Sequence, residues 1–238
     1  MGLKEILDKL KSLGNPKNVE GMARFGINPE NTYGVPIPNL RKLAKEIGKD
    51  PSFAKASEGK HKLAQKLWNS GIHEAHILAG FVDDPKLVTS KQMDKWISDF
   101  DSWDVCDQVC ANLFDRMPIA YEKAIEWSKR EREFEKRAGF ALMAALAWHD
   151  KDAEDKKFVP FLPFIKKGAT DDRNFVKKAV NWALRQIGKR NKNLNKVAIA
   201  AAKEIQKLDS KPARWVAADA IRELESRVVQ KRLGTNEN

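Results

Sequence analysis

A tryptophan and an aspartate stand four residues apart in the segment 102–107, which reads SWDVCD. If this segment is helical, Trp103 and Asp107 share one face, because side chains at i and i+4 are neighbours on a helix. The apolar stripe of the same helix consists of Cys106, Val109, Cys110 and Leu113. Asp107 therefore lies at the edge of the buried surface, where a carboxylate beside an indole is a candidate catalytic group. The alternative is an ordinary surface aspartate beside a packed tryptophan, and this pair of residues leaves both open.

A second candidate lies in a strongly basic segment. Residues 173–203 contain nine Lys or Arg and no Asp or Glu, so they carry +9 of the formal net charge of +11. Helical spacing places on one face of this segment Lys178, Trp182, Arg185 and Lys189. A separate apolar face is formed by Val176, Ala179, Val180, Ala183 and Ile187. An aromatic ring on the basic face indicates a surface for polyanions. The alternative is a tryptophan packed under a neighbouring helix among solvated lysines.

Arg137 precedes an eleven-residue run, 138–148, that contains no charged or other strongly polar side chain. Such a helix must be buried almost all round. An arginine at its N-terminal end is either a structural cap or a phosphate contact. The pair Arg137-Ala138 aligns with Lys178-Ala179, 41 residues later. This alignment predicts that both cations lie along the same face of a repeating structure.

Helices must position these residues, because nearly every segment has helical periodicity. We predict helices over 3–13, 16–25, 38–48, 61–70, 72–82, 90–99, 102–116, 119–129, 132–149, 157–167, 172–189, 194–207 and 211–226. No segment shows the two-residue alternation of a strand bounded by hairpin turns. Residues 26–38 are rich in Asn, Gly and Pro, which predicts an ordered loop.

The helices also repeat. Besides the 41-residue spacing, the triplet Ala183-Leu184-Arg185 recurs as Ala220-Ile221-Arg222, 37 residues on. Periods of about 37–47 residues built from helix pairs are typical of HEAT-like arrays. We therefore predict an all-α, HEAT-like helical repeat solenoid with a concave basic face. It should form one domain over residues 1–233, followed by a disordered tail at 234–238. The alternative is a helical bundle without repeats.

Composition narrows the class of protein. With 42% hydrophobic and 32% charged residues, the chain should be globular. No apolar run reaches the length of a bilayer span, and residues 1–14 lack the apolar region of a signal peptide, so we expect a soluble cytoplasmic protein.

The only cysteines, Cys106 and Cys110, share an apolar stripe, which favours buried reduced thiols over a disulfide. A pI near 9.5 favours nucleic acid as partner, ahead of an anionic membrane, without separating DNA from RNA.

Other catalytic chemistries find little support. The segment 73–76 reads HEAH, one residue short of the spacing by which two histidines of a helix bind zinc. The sequence contains neither the glycine pattern of a phosphate-binding loop nor a nucleophile elbow. We therefore predict that the protein uses no metal and no cofactor.

The chain resembles the AlkD-type DNA alkylation repair glycosylases, which are HEAT-like repeat proteins. The similar segments extend over nearly the whole length: 22–25 (MARF), 34–41 (GVPIPNLR), 102–107, 136–138 (KRA) and 175–185 (FVKKAVNWALR). A Trp-x-x-x-Asp element followed by a later Trp-x-x-Arg element is fairly specific, since a generic HEAT array carries neither. One departure is Phe25, because the family more often has a tyrosine there, whose hydroxyl contact to DNA would be missing.

The resemblance implies a monofunctional glycosylase that excises cationic N-alkylpurines such as N7-methylguanine and N3-methyladenine. It implies a catalytic cleft formed by Asp107, Trp103 and Trp182, and DNA backbone contacts by Arg137 and Arg185. We add Lys178, Lys189 and Phe25 as DNA-binding residues.

The expected partner is double-stranded DNA with alkylated bases, bound on the concave face by a monomer without insertion of the base into a pocket. Two alternatives are a protein that binds distorted or branched DNA without catalysis, and a scaffold for protein partners.

Overall fold

The computed structural model describes residues 1–50 and 57–235, and every regular element in these two ranges is a helix. The all-α prediction is therefore confirmed. Packing of the backbone divides the chain into two compact units, Met1–Met117 and Pro118–Asn238. The single domain over residues 1–233 stays a prediction.

The first unit contains seven α-helices among its described residues. They are α1 (Leu3–Ser12), α2 (Pro16–Arg24), α3 (Ile37–Lys49), α4 (Ser57–Trp68), α5 (His73–Val82), α6 (Ser90–Ser98) and α7 (Trp103–Asn112). Apolar residues recur with helical spacing, so that α3 buries Leu40, Leu43 and Ile47 on one face. In the core, the rings of Trp68 and Trp96 stack with their centroids 3.9 Å apart.

The second unit also contains seven α-helices among its described residues. They are α8 (Ala120–Trp127), α9 (Glu133–His149), α10 (Leu162–Gly168), α11 (Asn174–Gly188), α12 (Lys192–Gln206), α13 (Lys211–Leu224) and α14 (Arg227–Thr235). Helix α9 packs on α11, and both α11 and α12 pack on α13. The predicted apolar face of α11 is confirmed, since all five of its residues are fully buried.

Beyond shifts of a few residues at helix ends, three differences separate the observed helices from the predicted ones. The segment 102–116 is interrupted at Leu113 (φ −133°, ψ −58°), so α7 ends at Asn112 and a short 3-10 helix, Phe114–Arg116, follows. The predicted helix 157–167 becomes two 3-10 turns, Asp155–Lys157 and Val159–Phe161, before α10. Helix α14 was not predicted. It extends into the segment that we expected to be a disordered tail, whose last residues, 236–238, lie outside the described ranges.

Helix α9 follows the predicted burial except at its end. Residues 138–147 are buried, as the apolar run predicts. Trp148 is 53% exposed, so the prediction is wrong for the last residue of the run. The reason is position: Trp148 stands next to the last helical residue, His149, where the chain leaves the packed interior.

The close approach of α9 to the end of α8 requires a glycine at position 139. A Cβ atom there would be only 2.3 Å from the backbone nitrogen of Ser128. Because backbone atoms cannot move aside as a side chain can, we expect Gly139→Ala to lower the free energy of unfolding by about 3 kcal/mol. The matched control is Gly48→Ala in α3, where a Cβ meets open space. That variant should be neutral or more stable by up to about 1 kcal/mol. Urea unfolding measures both, and equal stability of the two variants would refute the close approach.

Candidate functional site

The start of α7 positions the predicted catalytic pair of the first unit. Trp103 is the first residue of α7 and Asp107 lies one turn later, and both side chains are half-buried. The indole Nε1 of Trp103 donates a hydrogen bond to the carbonyl oxygen of Phe25, at 3.1 Å. The predicted apolar stripe of this helix is completely buried, and both of its cysteines are free thiols. Asp107 therefore lies at the edge of the core, and the Trp103 ring is tied to the loop before α3.

Ser102 occupies the N-cap position of α7 but does not cap the helix. No hydrogen bond links its side chain to the first turn. Its fully buried hydroxyl oxygen instead accepts the backbone N–H of Asn28 at 2.9 Å. Asn28 in turn donates from its side-chain nitrogen to Asp101, at 2.7 Å. The loop thus satisfies its buried polar groups at the start of α7, which fixes the two segments to one another.

Glu74 of α5 anchors the other end of this loop. Its side chain is buried, and its carboxylate accepts the backbone N–H groups of Tyr33, Gly34 and Val35 at distances of 2.6–3.1 Å. Gly34 has φ +77°, and a Cβ there would be 2.3 Å from the carbonyl oxygen of Asn15. The sequence analysis mentions Glu74 only as part of the segment 73–76, which lacks the spacing of a zinc site. A single acidic residue in a helix that is otherwise nearly apolar could have indicated its buried structural role.

A buried histidine–aspartate pair lies beside Trp103. The Nε2 atom of His73 is 2.8 Å from Oδ2 of Asp104. Burial lowers the pKa of His73, but the hydrogen bond to Asp104 and the nearby carboxylates of Glu74 and Asp101 outweigh it and raise the pKa above 6.5. The other oxygen of Asp104, Oδ1, is buried and has no hydrogen-bond partner in the described part of the chain. Asp104 therefore retains an acceptor that a ligand could use.

These residues surround a cavity of about 730 Å³ within the first unit. Its wall is mostly apolar, and α7 contributes Trp103, Asp104 and Gln108. Phe25 also lines it, with 74% of its surface exposed. The sequence predicted Phe25 as a DNA contact, and the structure brings it together with Trp103. The sequence did not predict this pocket, which Trp103 lines and Asp107 does not.

The predicted basic face of α11 belongs to the second unit. Lys178 is exposed and Trp182 is half-buried. Arg185 and Lys189, however, both form ion pairs with the carboxylate of Glu223 on α13, with the Lys189 pair at 2.6 Å. Burial raises the pKa of Glu223, but the hydrogen bonds from Lys189 and Arg185 outweigh it, and the net effect lowers the pKa. The positive charge of residues 173–203 is therefore partly neutralised by Glu223 of α13.

Arg137 is buried, with only 5% of its surface exposed. Its Nη1 atom donates to the carbonyl oxygen of Phe175, at 2.6 Å. This bond joins α9 to the first turn of α11. Of the two roles that the sequence left open for Arg137, a structural one and a phosphate contact, the hydrogen bond matches the structural one.

The predicted site residues fall into two groups, one in each unit. Phe25, Trp103 and Asp107 lie in the first unit, and the predicted residues of α11 share one helix of the second. A single cleft that contains both groups stays a prediction.

Within residues 1–50 and 57–235, no helix has the length and hydropathy of a membrane span. No group of three or more His, Cys, Asp or Glu side chains among them is arranged to hold a metal ion.

The family model for the DNA alkylation repair enzyme matches residues 6–224. Among curated protein sequences, none matches this chain.

Among solved structures, one from a family related to the HEAT-like repeat DNA glycosylases, with affinity for branched DNA structures, is similar over 98% of this chain and 97% of that chain. Its sequence identity is 22% and its TM-score 0.79. A designed armadillo repeat protein is a more distant match, with 11% identity, a TM-score of 0.39, and coverage of 82% and 87% of the two chains. The first likeness confirms the predicted HEAT-like repeat fold.

Proposed function

Because the chain belongs to the DNA alkylation repair enzyme family, we propose that it is a DNA glycosylase that releases cationic alkylated purines, of the N7-methylguanine and N3-methyladenine type, from duplex DNA. The observation that carries this proposal is the arrangement of Trp103 and Asp107 on adjacent turns of α7, at the edge of the core. The anchored indole supports the same assignment.

The chemistry suits these side chains. A cationic alkylpurine is already a good leaving group, so its departure needs no strong general acid. As the glycosidic bond breaks, positive charge develops on the sugar. The carboxylate of Asp107 stabilises this charge and orients the attacking water. The face of Trp103 contacts the cationic sugar or base, at about 0.5–2 kcal/mol. The same role for Trp182, in the second unit, stays a prediction. One carboxylate is therefore enough, and an abasic site is the product.

The exposed Lys178 is the residue of α11 that we assign to a DNA phosphate. Each phosphate contact releases condensed counterions, so affinity falls with added salt. We expect Lys178→Ala to weaken duplex binding and to reduce the slope of log affinity against log salt by about one. The control is Lys196→Ala, at an exposed position of α12, which should leave the slope unchanged. A salt-independent affinity of the native protein would contradict the proposed phosphate contact.

Glu223 limits the positive charge that Arg185 and Lys189 present to DNA. Because Glu223 pairs with both cations, Glu223→Gln frees their charge, and we expect tighter duplex binding and a steeper salt slope. The control is Glu204→Gln on α12, a carboxylate that pairs with Lys207 instead. Fluorescence anisotropy titrations at several salt concentrations measure both variants. If Glu223→Gln binds the duplex with unchanged affinity, Arg185 and Lys189 do not contact DNA.

The competing function is binding of branched DNA without base release, which the similar solved structure favours. The two functions are separated by incubating the protein with duplexes that contain N7-methylguanine or N3-methyladenine, and by measuring the free base. Our proposal expects release that grows with time and enzyme concentration. Binding of a four-way junction without release from either duplex would favour the competing function, and weak binding of every DNA would favour a protein scaffold.

A further inference from the structure

A histidine and an aspartate connect the start of α5 to the start of α7. His73 is the first residue of α5 and Asp104 is the second residue of α7, and their side chains are only 3% and 13% exposed. Because a carboxylate offers only acceptors, the Nε2 atom of His73 donates to Asp104 whether the imidazole is neutral or protonated. The backbone N–H of His73 donates to the carbonyl oxygen of Asn31, at 3.0 Å, so the same residue also contacts the loop that holds Trp103.

The positive charge of a protonated His73 is explained by its partners and not by its helix. A cation is unfavourable at the N-terminal end of a helix, so α5 itself does not favour the imidazolium. Asp104 and Glu74, however, are two largely buried carboxylates that line one cavity. Within residues 1–50 and 57–235, no Lys or Arg forms an ion pair with either of them. Since a buried carboxylate without a counter-charge is costly, the imidazolium of His73 is the compensating charge here.

The pKa of His73 reflects these surroundings. Burial lowers it, but the hydrogen bond to Asp104 and the neighbouring carboxylates outweigh burial, so the pKa lies above 6.5. Other titratable groups around His73 come from α5, the segment before α7 and the cavity wall: Glu74, His76, Asp101 and Lys17. The stabilisation by the imidazolium is therefore fully present below pH 6.5 and is lost as the pH rises through the raised pKa.

The position of Asp104 in α7 links this pair to the candidate site. Trp103 precedes Asp104 directly, and Asp107 follows it by three residues. The first turn of a helix has N–H groups without partners inside the helix, and the side chain of Ser102 does not cap them. Contacts from outside the helix therefore fix where this turn lies, and the hydrogen bond from His73 is one of them.

We propose that His73 and Asp104 are positioning residues for base excision. The imidazolium of His73 holds Asp104, and with it the first turn of α7, so that Trp103 and Asp107 lie where the glycosidic bond breaks. This role rests on the proposed function for the excision step, whereas the position of Trp103 depends on the hydrogen bond alone. Neither member of the pair needs to touch DNA.

His73→Gln tests the charge. The side-chain amide of glutamine reaches the position of Nε2 and donates a neutral hydrogen bond to Asp104, but it does not titrate. Below the pKa of His73, we expect single-turnover base release by the native protein to exceed that of the variant about fivefold, because a charge-assisted hydrogen bond is lost. Duplex binding should be equal. As the pH rises to about 9, the ratio of the two rates should fall to about one. Taking this ratio at each pH cancels the pH dependence of the substrate.

His61→Asn is the matched control. His61 forms a second His–Asp pair in the same unit, with Nδ1 2.8 Å from Asp83, at the opposite end of α5 from His73. The substitution removes the same kind of titrating ring and keeps a donor near the Nδ1 position. Folded His61→Asn should release base within about twofold of the native rate at every pH. Asp104→Asn should lower the rate as His73→Gln does, and the double variant should lose little more, because the two residues act as a unit.

A second readout does not depend on catalysis. The indole N–H of Trp103 gives its own heteronuclear NMR signal, which Trp103→Phe identifies by its loss. In the native protein this signal should shift with pH as His73 titrates, and in His73→Gln it should stay constant over the same range. If the native protein releases no base while the indole signal titrates, the proposed excision fails and the positioning of Trp103 by the pair stands.

Three results would overturn the proposed positioning role. They are a ratio of native to His73→Gln rates that does not change with pH, an equal loss of base release in His61→Asn, and an indole signal that titrates alike in native protein and His73→Gln.

Discussion

Replacement of Asp107 by asparagine should slow base release about 10²–10³-fold while duplex binding changes little. Asparagine keeps the shape of the side chain but removes the negative charge that stabilises the developing cationic sugar. Loss of one preorganised electrostatic group of this kind costs about 10²–10³ in the rate of the chemical step. Single-turnover assays with an N7-methylguanine duplex measure that step directly, and anisotropy with an undamaged duplex measures binding.

The matched control for this variant is Asp8→Asn. Asp8 is an exposed carboxylate of α1, and it undergoes the same chemical change away from Trp103 and the loop that holds it. We expect it to retain base release within a fewfold of the native rate. Base release by Asp107→Asn at the native rate would show that the carboxylate is not catalytic, and the assignment of this residue would fail.

Replacement of Glu74 by glutamine should be the most damaging change to stability among the polar residues near the candidate site. One carboxylate oxygen, Oε1, accepts the loop N–H groups of Tyr33, Gly34 and Val35, and Oε2 accepts that of Tyr33 as well. The oxygen of glutamine can take the first position, but its amide nitrogen is a donor and would then face the N–H of Tyr33 at the second. The variant also loses the negative charge that strengthens these hydrogen bonds, and we expect a total loss of about 3 kcal/mol in the free energy of unfolding.

Chemical unfolding measures this loss, with Glu30→Gln as control. Glu30 belongs to the same loop but is exposed, so its substitution should change stability by less than about 0.5 kcal/mol. Because the loop also holds the Trp103 indole through Phe25, base release by the folded fraction of Glu74→Gln should fall as well. A Glu74→Gln protein as stable as native would show that the loop does not depend on this carboxylate.

The features that local periodicity determines could be predicted from the sequence. The buried stripe of α7 and the apolar face of α11 follow from residue spacing, because a helix repeats its faces every 3.6 residues. The placement of Trp103 and Asp107 on one face follows from the same rule. The resemblance to a repair family supplied the chemistry for that pair.

Features that depend on how distant helices pack could not be predicted. The segment 173–203 lacks acids, yet Glu223 reaches Arg185 and Lys189 because α13 packs against α11. Burial of Arg137 depends on the position of the Phe175 carbonyl in another helix. The role of Glu74 depends on a loop 40 residues away. In each case the partner is set by tertiary packing, which no spacing within one helix encodes.

The buried thiols beneath Asp107 have a consequence for survival of the protein under alkylating conditions. Cys106 and Cys110 are the only cysteines of the chain, and both are fully buried. Burial, together with the hydrogen bond from Cys106, raises the pKa of the Cys110 thiol. Methylating agents react fastest with exposed thiolates. Under the proposed function, the protein therefore presents neither cysteine thiol to the electrophiles that generate alkylated DNA, and exposure to a methylating agent should leave both thiols unmodified in the folded protein.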